Sequence, residues 1–395
     1  MQAMSYEITA SRKRPQNFHQ MAGQEFVVAT LENAITTERI AHAYLFSGPR
    51  GVGKTSSARI LAKSLNCELG PTTEPCGKCN NCKEITNGSS MDVIEIDGAS
   101  NTSVNDVREI KDEVLFAPSS SRYKIYIIDE VHMLSNSAFN ALLKTIEEPP
   151  PYIIFIFATT EIHKVPATIR SRCQQFNFRL IDADTVKQRL IEACNEMNLR
   201  YEDDALFWIA KEGTGSMRDS YTLFDQVVAF SDDHITLEKI REKLGLVGLD
   251  QMNQLCEYIL EGNVSSVLNY VEDILIKGVS VEQFIIDLTE YYRSILFLQS
   301  GIDRESLLGF SVDRFNGKVI EGYNRTQLEK AIEDLLKLYR DIRYSLNQRY
   351  ELELTLTKFC SLTNFFTSRE LYDKIKELQD NNQSHPVSQV DQKKK

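Results

Sequence analysis

The stretch "AYLFSGPRGVGKTSSARILAKSLN", residues 43–66, decides how this chain is read. Five β-prone residues lead into "GPRGVGKT", Gly48 to Thr55, which fits G-x-x-x-x-G-K-[ST], and a helical pattern follows. A strand that hands a glycine-rich loop to the start of a helix can converge backbone N–H groups on phosphate oxygens. The expected nucleotide contacts are therefore Gly48, Pro49, Arg50, Gly51, Val52, Gly53, Lys54, Thr55 and Ser56. Within them Lys54 meets the β and γ phosphates, and the Thr55 hydroxyl is placed to ligate magnesium. A glycine-rich turn before a helix is the plainer reading, but strand and helix signals on both sides agree with a phosphate loop.

Hydrolysis needs a second strand that brings carboxylates to the same place. "KIYIIDEVHM", residues 124–133, supplies it: Asp129 for the magnesium ion, and Glu130 to polarise the attacking water. An Asp-Glu pair after a strand is by itself often a solvated loop; beside a phosphate loop it gains a purpose. With "AYLFS", "DVIEID" and "YIIFIFATT", these runs alternate with helix-length amphipathic segments up to Phe178. That alternation predicts an α/β domain with a parallel sheet.

Directly after the loop's helix come Cys67, Cys76, Cys79 and Cys82, spaced C-x8-C-x2-C-x2-C. Two-residue gaps let successive thiolates turn back onto one ion, and four sulfurs fill a tetrahedral zinc with no position left for a substrate. The expected metal is structural and holds an insertion, residues 67–82, that is poor in apolar residues. Incidental free thiols are the plainer alternative, and Cys173, Cys194, Cys256 and Cys360 are read that way.

Past Leu180 the strand signals end, and apolar residues recur at three and four, as in "DADTVKQRLIEACNEMNL" and "SMRDSYTLFDQVVAF". The expected organisation is α/β followed by all-α: a nucleotide-binding domain at 1–180, a helical lid at 181–244, a helical third domain at 245–368, and a flexible tail at 369–395. Length supports several cores, since single cores stop growing near roughly 250 to 300 residues. No apolar run reaches the roughly 18 to 20 residues that cross a bilayer, so no membrane partner and a cytoplasmic location are expected. In that reducing setting eight cysteines read as thiols or metal ligands. The formal net charge of -11 disfavours non-specific coating of nucleic acid and confines any such contact to a local patch.

Taken in order, "RKRPQNFHQMAGQE", the phosphate loop, "CGKCNNCKEI", "IDGASN", "YIIDEVHMLSNSAFNALLKTIEEPP", "FIFATTEIHKVPATIRSRCQQF" and "GSMRDS" make the chain resemble the AAA+ ATPases. Within them it is similar to the gamma/tau subunits of bacterial DNA polymerase III clamp loaders, closely from Arg12 to about Leu244 and by domain order beyond. The resemblance implies that Arg172 in "SRC" reaches a neighbouring subunit's ATP as a finger. It implies that Thr159 and Thr160 stand at the first sensor position, that Arg218 in the lid is the second sensor, and that Phe18 and Met21 wall the adenine pocket. Core packing is the ordinary alternative for Phe18 and Met21. Where the family often has a tryptophan, Lys13 and Arg14 precede "PQ" here.

The implied activity is that of an ATPase within a DNA-directed DNA polymerase complex, using ATP, Mg2+ and Zn2+ to load a sliding clamp onto primed DNA. Implied partners are other loader subunits in a hetero-pentamer that includes copies of the chain, joined through the third domain as a collar. The clamp and primer-template DNA complete the set, with polymerase and replicative helicase reached through a longer form. Ser100, Asn101, Thr102 and Ser103 begin a helical stretch whose N–H groups could meet DNA phosphates, a role a plain N-cap explains equally well. Two rival readings are a branch-migration or unwinding motor and a non-hydrolysing scaffold of the same fold; keeping Lys54, Thr55, Asp129 and Glu130 argues against the scaffold.

Overall fold

The computed structural model describes residues 7–100 and 113–366, together with 368, 369, 371, 372, 375 and 376. The chain packs as two compact units that divide between Thr236 and Leu237. The finer sequence-based limits at residues 180 and 244 are taken up below as a proposal, and most of the tail expected from 369 on lies outside the described residues.

In the first unit, β1 (Ala43–Ser47), β2 (Val93–Asp97), β3 (Lys124–Asp129), β4 (Ile153–Thr159) and β5 (Gln174–Asn177) form one sheet in the order β2-β3-β4-β1-β5. All four pairings are parallel. The main helices are α1 (Glu25–Thr36), α2 (Lys54–Asn66), α3 (Asn80–Asn87), α4 (Asn136–Glu147), α5 (Ala183–Met197), α6 (Asp203–Glu212) and α7 (Met217–Phe230).

Successive strand residues point to opposite faces, so an unbroken apolar strand must be covered on both. One face sends Tyr44, Phe46, Ile125, Ile127, Ile154 and Ile156 against Val27 and Leu31 of α1 and Leu61 and Leu65 of α2. The other sends Leu45, Tyr126, Ile128, Phe155 and Phe157 against Phe139, Leu142 and Ile146 of α4. Each such side chain contributes about 1.5–3 kcal/mol on burial. The outer strands differ as edges should: alternate residues of β2 and most of β5 reach solvent.

Register then aligns the chemistry. Ser47 pairs with Thr159, and Asp97 with Asp129, so the phosphate loop, both carboxylates and the threonine pair emerge at the carboxyl edge of the sheet. That edge is where open parallel sheets bind ligands.

The second unit is helical among the described residues: α8 (Leu237–Leu244), α9 (Leu249–Leu260), α10 (Val264–Ile276), α11 (Val281–Gln299), α12 (Arg325–Asp341) and α13 (Gln348–Phe359), with shorter turns between. Its core gathers Leu255, Val267, Phe284, Leu288, Tyr292, Leu328, Leu335, Leu356 and Phe359. Local chemistry starts the long helices. Ser280 accepts from the Gln283 N–H at 3.1 Å, and Asn324 and Gln327 exchange hydrogen bonds in a capping box, each at 2.9 Å. No helix among the described residues is long and apolar enough to cross a membrane.

Candidate nucleotide and metal sites

The loop leaves β1 at Gly48 and becomes α2 at Lys54. Gly51 and Gly53 hold φ of +74° and +103°, a region closed to most side chains. A Cβ on Gly51 would overlap the Ser216 hydroxyl, and one on Gly53 would meet the Met21 methyl. The loop is thus pressed from both sides by other parts of the unit.

Lys54 is buried, with Nζ donating to the carbonyls of Gly48 at 2.9 Å and Pro49 at 2.8 Å. Burial lowers its pKa while Glu130 and Asp129 act to raise it, so both expected carboxylates act on the loop lysine. Thr55 Oγ1 donates to Asp129 Oδ2 at 2.6 Å, which unites the two groups expected to share magnesium. A hydroxyl and a carboxylate are hard oxygen donors that suit this ion.

Glu130 has a left-handed backbone, φ +44°, and its N–H donates to Asp129 Oδ1 at 2.9 Å. Its Oε2 accepts from the Thr160 hydroxyl at 3.0 Å and the Thr160 N–H at 3.3 Å. Thr159 is fully buried, and its Oγ1 accepts from the Glu161 N–H at 3.0 Å and lies 3.0 Å from His132 Nδ1. The two threonines therefore face different neighbours, and Thr160 is the one beside the carboxylate.

Arg218 lies in the first turn of α7, where Ser216 caps the helix by accepting from the Asp219 N–H at 3.3 Å. The Met217 N–H donates to the Gly51 carbonyl at 3.1 Å, which docks the start of α7 on the phosphate loop. The charge of Arg14 is felt from the site. Burial lowers its pKa, with Arg59 and Arg218 adding to that and Glu95 and Asp129 opposing, so a further cation sits among the charges of the site. Its signal was the unusual "RKRP" itself. Met21 reaches the loop, with Ser57 Oγ 3.7 Å from its sulfur, and both Met21 and Phe18 are buried in the same core cluster.

Arg172 stands apart. Nη2 pairs with Glu147 Oε1 at 2.6 Å, Nη1 donates to the Thr168 carbonyl at 2.7 Å, and the side chain is 35% exposed. None of these partners belongs to the phosphate loop. Ser100 donates to Asp97 Oδ2 at 2.9 Å, while Asn101, Thr102 and Ser103 lie outside the described residues.

The four cysteines gather as their spacing predicts. Their sulfurs all lie within 4.8 Å of one another. A tetrahedral ion with metal–sulfur bonds of about 2.3 Å separates sulfurs by roughly 3.8 Å, so the cluster fits a four-sulfur site. Backbone N–H groups already point at the ligands: Cys76 toward Cys67 Sγ at 3.4 Å, Cys79 toward Cys76 Sγ at 3.4 Å, and Cys82 toward Cys79 Sγ at 3.4 Å. Hydrogen bonds from the N–H groups of Lys78 and Cys79 bring the Cys76 thiol down to about 6, whereas burial pushes Cys82 up. Thiolates are stabilised where N–H groups aim at them.

Comparison with known proteins covers most of the chain. Residues 23–182 match the family model "DNA polymerase III, delta subunit", residues 185–233 the "DNA polymerase III clamp loader subunit, ATPase lid domain", and residues 235–375 "DNA polymerase III subunits gamma and tau domain III". DNA polymerase III subunit tau of Bacillus subtilis is 42% identical over 91% of this chain and 64% of its own length. The Escherichia coli tau subunit is 39% identical over 90% of the chain and 55% of its own length. The chain thus spans between about half and two-thirds of these two tau relatives. The gamma subunit of Buchnera aphidicola subsp. Schizaphis graminum is 37% identical over 89% of this chain and 98% of its own. Among solved structures, the RuvB branch migration motor of Thermotoga maritima is 22% identical over 63% of this chain and 80% of its own, with a TM-score of 0.45, too low to carry a functional argument. A parallel sheet with its phosphate loop and carboxylates on one edge, a lid and third domain matched by their own models, and a gamma subunit aligned along nearly its whole length converge: the chain belongs to the family of DNA polymerase III gamma/tau subunits.

Proposed function

We propose that the chain binds and hydrolyses ATP as a clamp-loader subunit of the DNA polymerase III holoenzyme, turning ATP energy into placement of a sliding clamp on primed DNA. The contact between Thr55 and Asp129, 2.6 Å apart at the mouth of the phosphate loop, carries this reading. Lys54 meets the terminal phosphates, Glu130 polarises the water, Thr160 holds Glu130, and Arg218 closes from the lid. When bound, magnesium supplies charge neutralisation between the β and γ phosphates. Thr55 and Asp129 would hold it.

The domain limits proposed from sequence suit this division of labour: residues 1–180 as the ATPase domain, 181–244 as the lid, and 245–368 as a collar. Tyr344, Leu346, Tyr350 and Leu354 lie exposed in the second unit, which is surface a collar would use. The partners are other loader subunits, including copies of this chain, together with the clamp and the backbone of primer-template DNA.

The ion at the four cysteines is zinc, in a structural role, because four sulfurs leave no position for chemistry. Replacing Cys79 by serine is expected to abolish stoichiometric zinc and to open residues 67–82 to protease, while ATP binding survives. Metal analysis and limited proteolysis check it; undiminished zinc contradicts the assignment.

ATP turnover in the assembled complex, measured with and without primed DNA and a ring clamp, tests the whole reading. Joint stimulation by both supports loading. Strand displacement would make the chain a motor, and the absence of turnover under every combination would make it a scaffold.

A further inference from the structure

His132 has no part in the reaction as proposed above, yet its side chain is only 6% exposed and sits at the centre of the site. Nδ1 lies 3.0 Å from Thr159 Oγ1 and 3.3 Å from Glu130 Oε2, and Nε2 lies 3.4 Å from Glu161 Oε1. Glu161 has partners of its own: Lys164 Nζ donates to it at 2.8 Å, and His163 Nε2 lies 3.4 Å from its other oxygen. The ring is thus hydrogen-bonded through Nδ1 to Thr159 at the end of β4, and the carboxylates of Glu130 and Glu161 lie within ion-pair distance of its two nitrogens. An imidazole that merely fills space does not need both nitrogens beside carboxylates.

Glu130 shows why such support matters. Its left-handed φ of +44° is a conformation that costs a non-glycine residue free energy and persists where the surroundings over-determine it. Thr160 N, Thr160 Oγ1 and His132 Nδ1 all converge on Oε2, and among the described residues no hydrogen bond falls on Oε1. A carboxylate gripped by one oxygen presents the other in a defined direction. Base catalysis depends steeply on that direction, because a misplacement of about 1 Å can cost on the order of a hundredfold.

We infer that His132 is a positioning residue for the hydrolysis step: braced by Thr159 and Glu161, its ring holds Glu130 so that Oε1 faces the attacking water. The inference rests on Glu130 being the group that polarises that water. It gives the turn after β4 a function, since Glu161, Lys164 and His163 become the outer support of the carboxylate.

The test compares His132→Ala, His132→Gln, Glu130→Gln and the double variant Glu130→Gln/His132→Ala, each in the whole chain assembled with its loader partners. Single-turnover ATP hydrolysis and the affinity for a non-hydrolysable ATP analogue are measured. His132→Ala is expected to lower the rate about 10- to 100-fold with analogue affinity within about twofold of the parent. His132→Gln, which keeps a donor and an acceptor at similar reach, recovers part of that loss. In the Glu130→Gln background, His132→Ala costs nothing further, because the group it positions is already disabled. A parent-like rate in His132→Ala, an equal and full loss in the double variant on top of Glu130→Gln, or an Ala defect that tracks a lowered melting temperature without rescue by Gln would each overturn the inference. If Glu130→Gln itself hydrolyses ATP at the parent's rate, the reading of Glu130 falls and takes this inference with it. If Glu130→Gln is slow and His132→Ala is not, only the inference about His132 fails.

Discussion

Arg172→Ala is expected to cut ATP turnover of the assembled complex by about a thousandfold or more while leaving each protomer folded and able to bind nucleotide. The size of the effect follows from what an arginine finger does: it meets charge that develops on the transferred phosphoryl group in the transition state. The geometry within one protomer supports a role outside its own pocket. The guanidinium is held by Glu147, Thr168 and Ser171, and it remains 35% exposed. A partly exposed ion pair of this kind is worth only about 0–1 kcal/mol, so Glu147 can hold the side chain ready without competing seriously against a polyanionic phosphate. Equilibrium binding of a fluorescent ATP analogue, alongside turnover, separates loss of chemistry from loss of affinity.

Glu130→Gln is expected to slow hydrolysis by about a hundredfold or more, in the range usual for loss of a general base, and again to spare binding. Its consequence for assembly differs from that of Arg172→Ala. A complex that binds ATP and cannot hydrolyse it stays in the nucleotide-bound state, so the clamp should remain held on DNA with its loader. Arg172→Ala is expected also to weaken the contact between protomers. Gel filtration with ATP, clamp and primed DNA distinguishes them: a persistent large complex for Glu130→Gln, a less stable one for Arg172→Ala.

Much of the site was legible because its parts are contiguous in sequence or carried by strands with a clear pattern. "GPRGVGKT" announces itself between a strand and a helix, and unbroken apolar runs in β3 and β4 mark them as covered on both faces. Parallel pairing then brings Asp129 to Thr55 without further instruction. The four cysteines were readable for a similar reason, since their spacing is itself the geometry. What escaped was whatever depends on side chains meeting across distant turns. His132 and Glu161 are brought together by β3 and β4 lying side by side, and Glu147 at the end of α4 meets Arg172 just past the short helical turn Ala167–Arg170. Neither pair has a sequence spacing that signals contact. Arg14 has no spacing that signals its surroundings, and Phe18 and Met21, both buried in one core cluster, show why an apolar residue before the loop reads equally as pocket wall or as core.

The central claim is that one protomer's pocket is finished by its neighbour's arginine. Glu130→Gln subunits keep an intact finger, and Arg172→Ala subunits keep an intact pocket, so each lacks what the other retains. Co-assembled in one complex, the two are predicted to regain a substantial part of the turnover stimulated by DNA and clamp, although either alone is nearly inactive. A mixed complex as inactive as its two parents would contradict the claim.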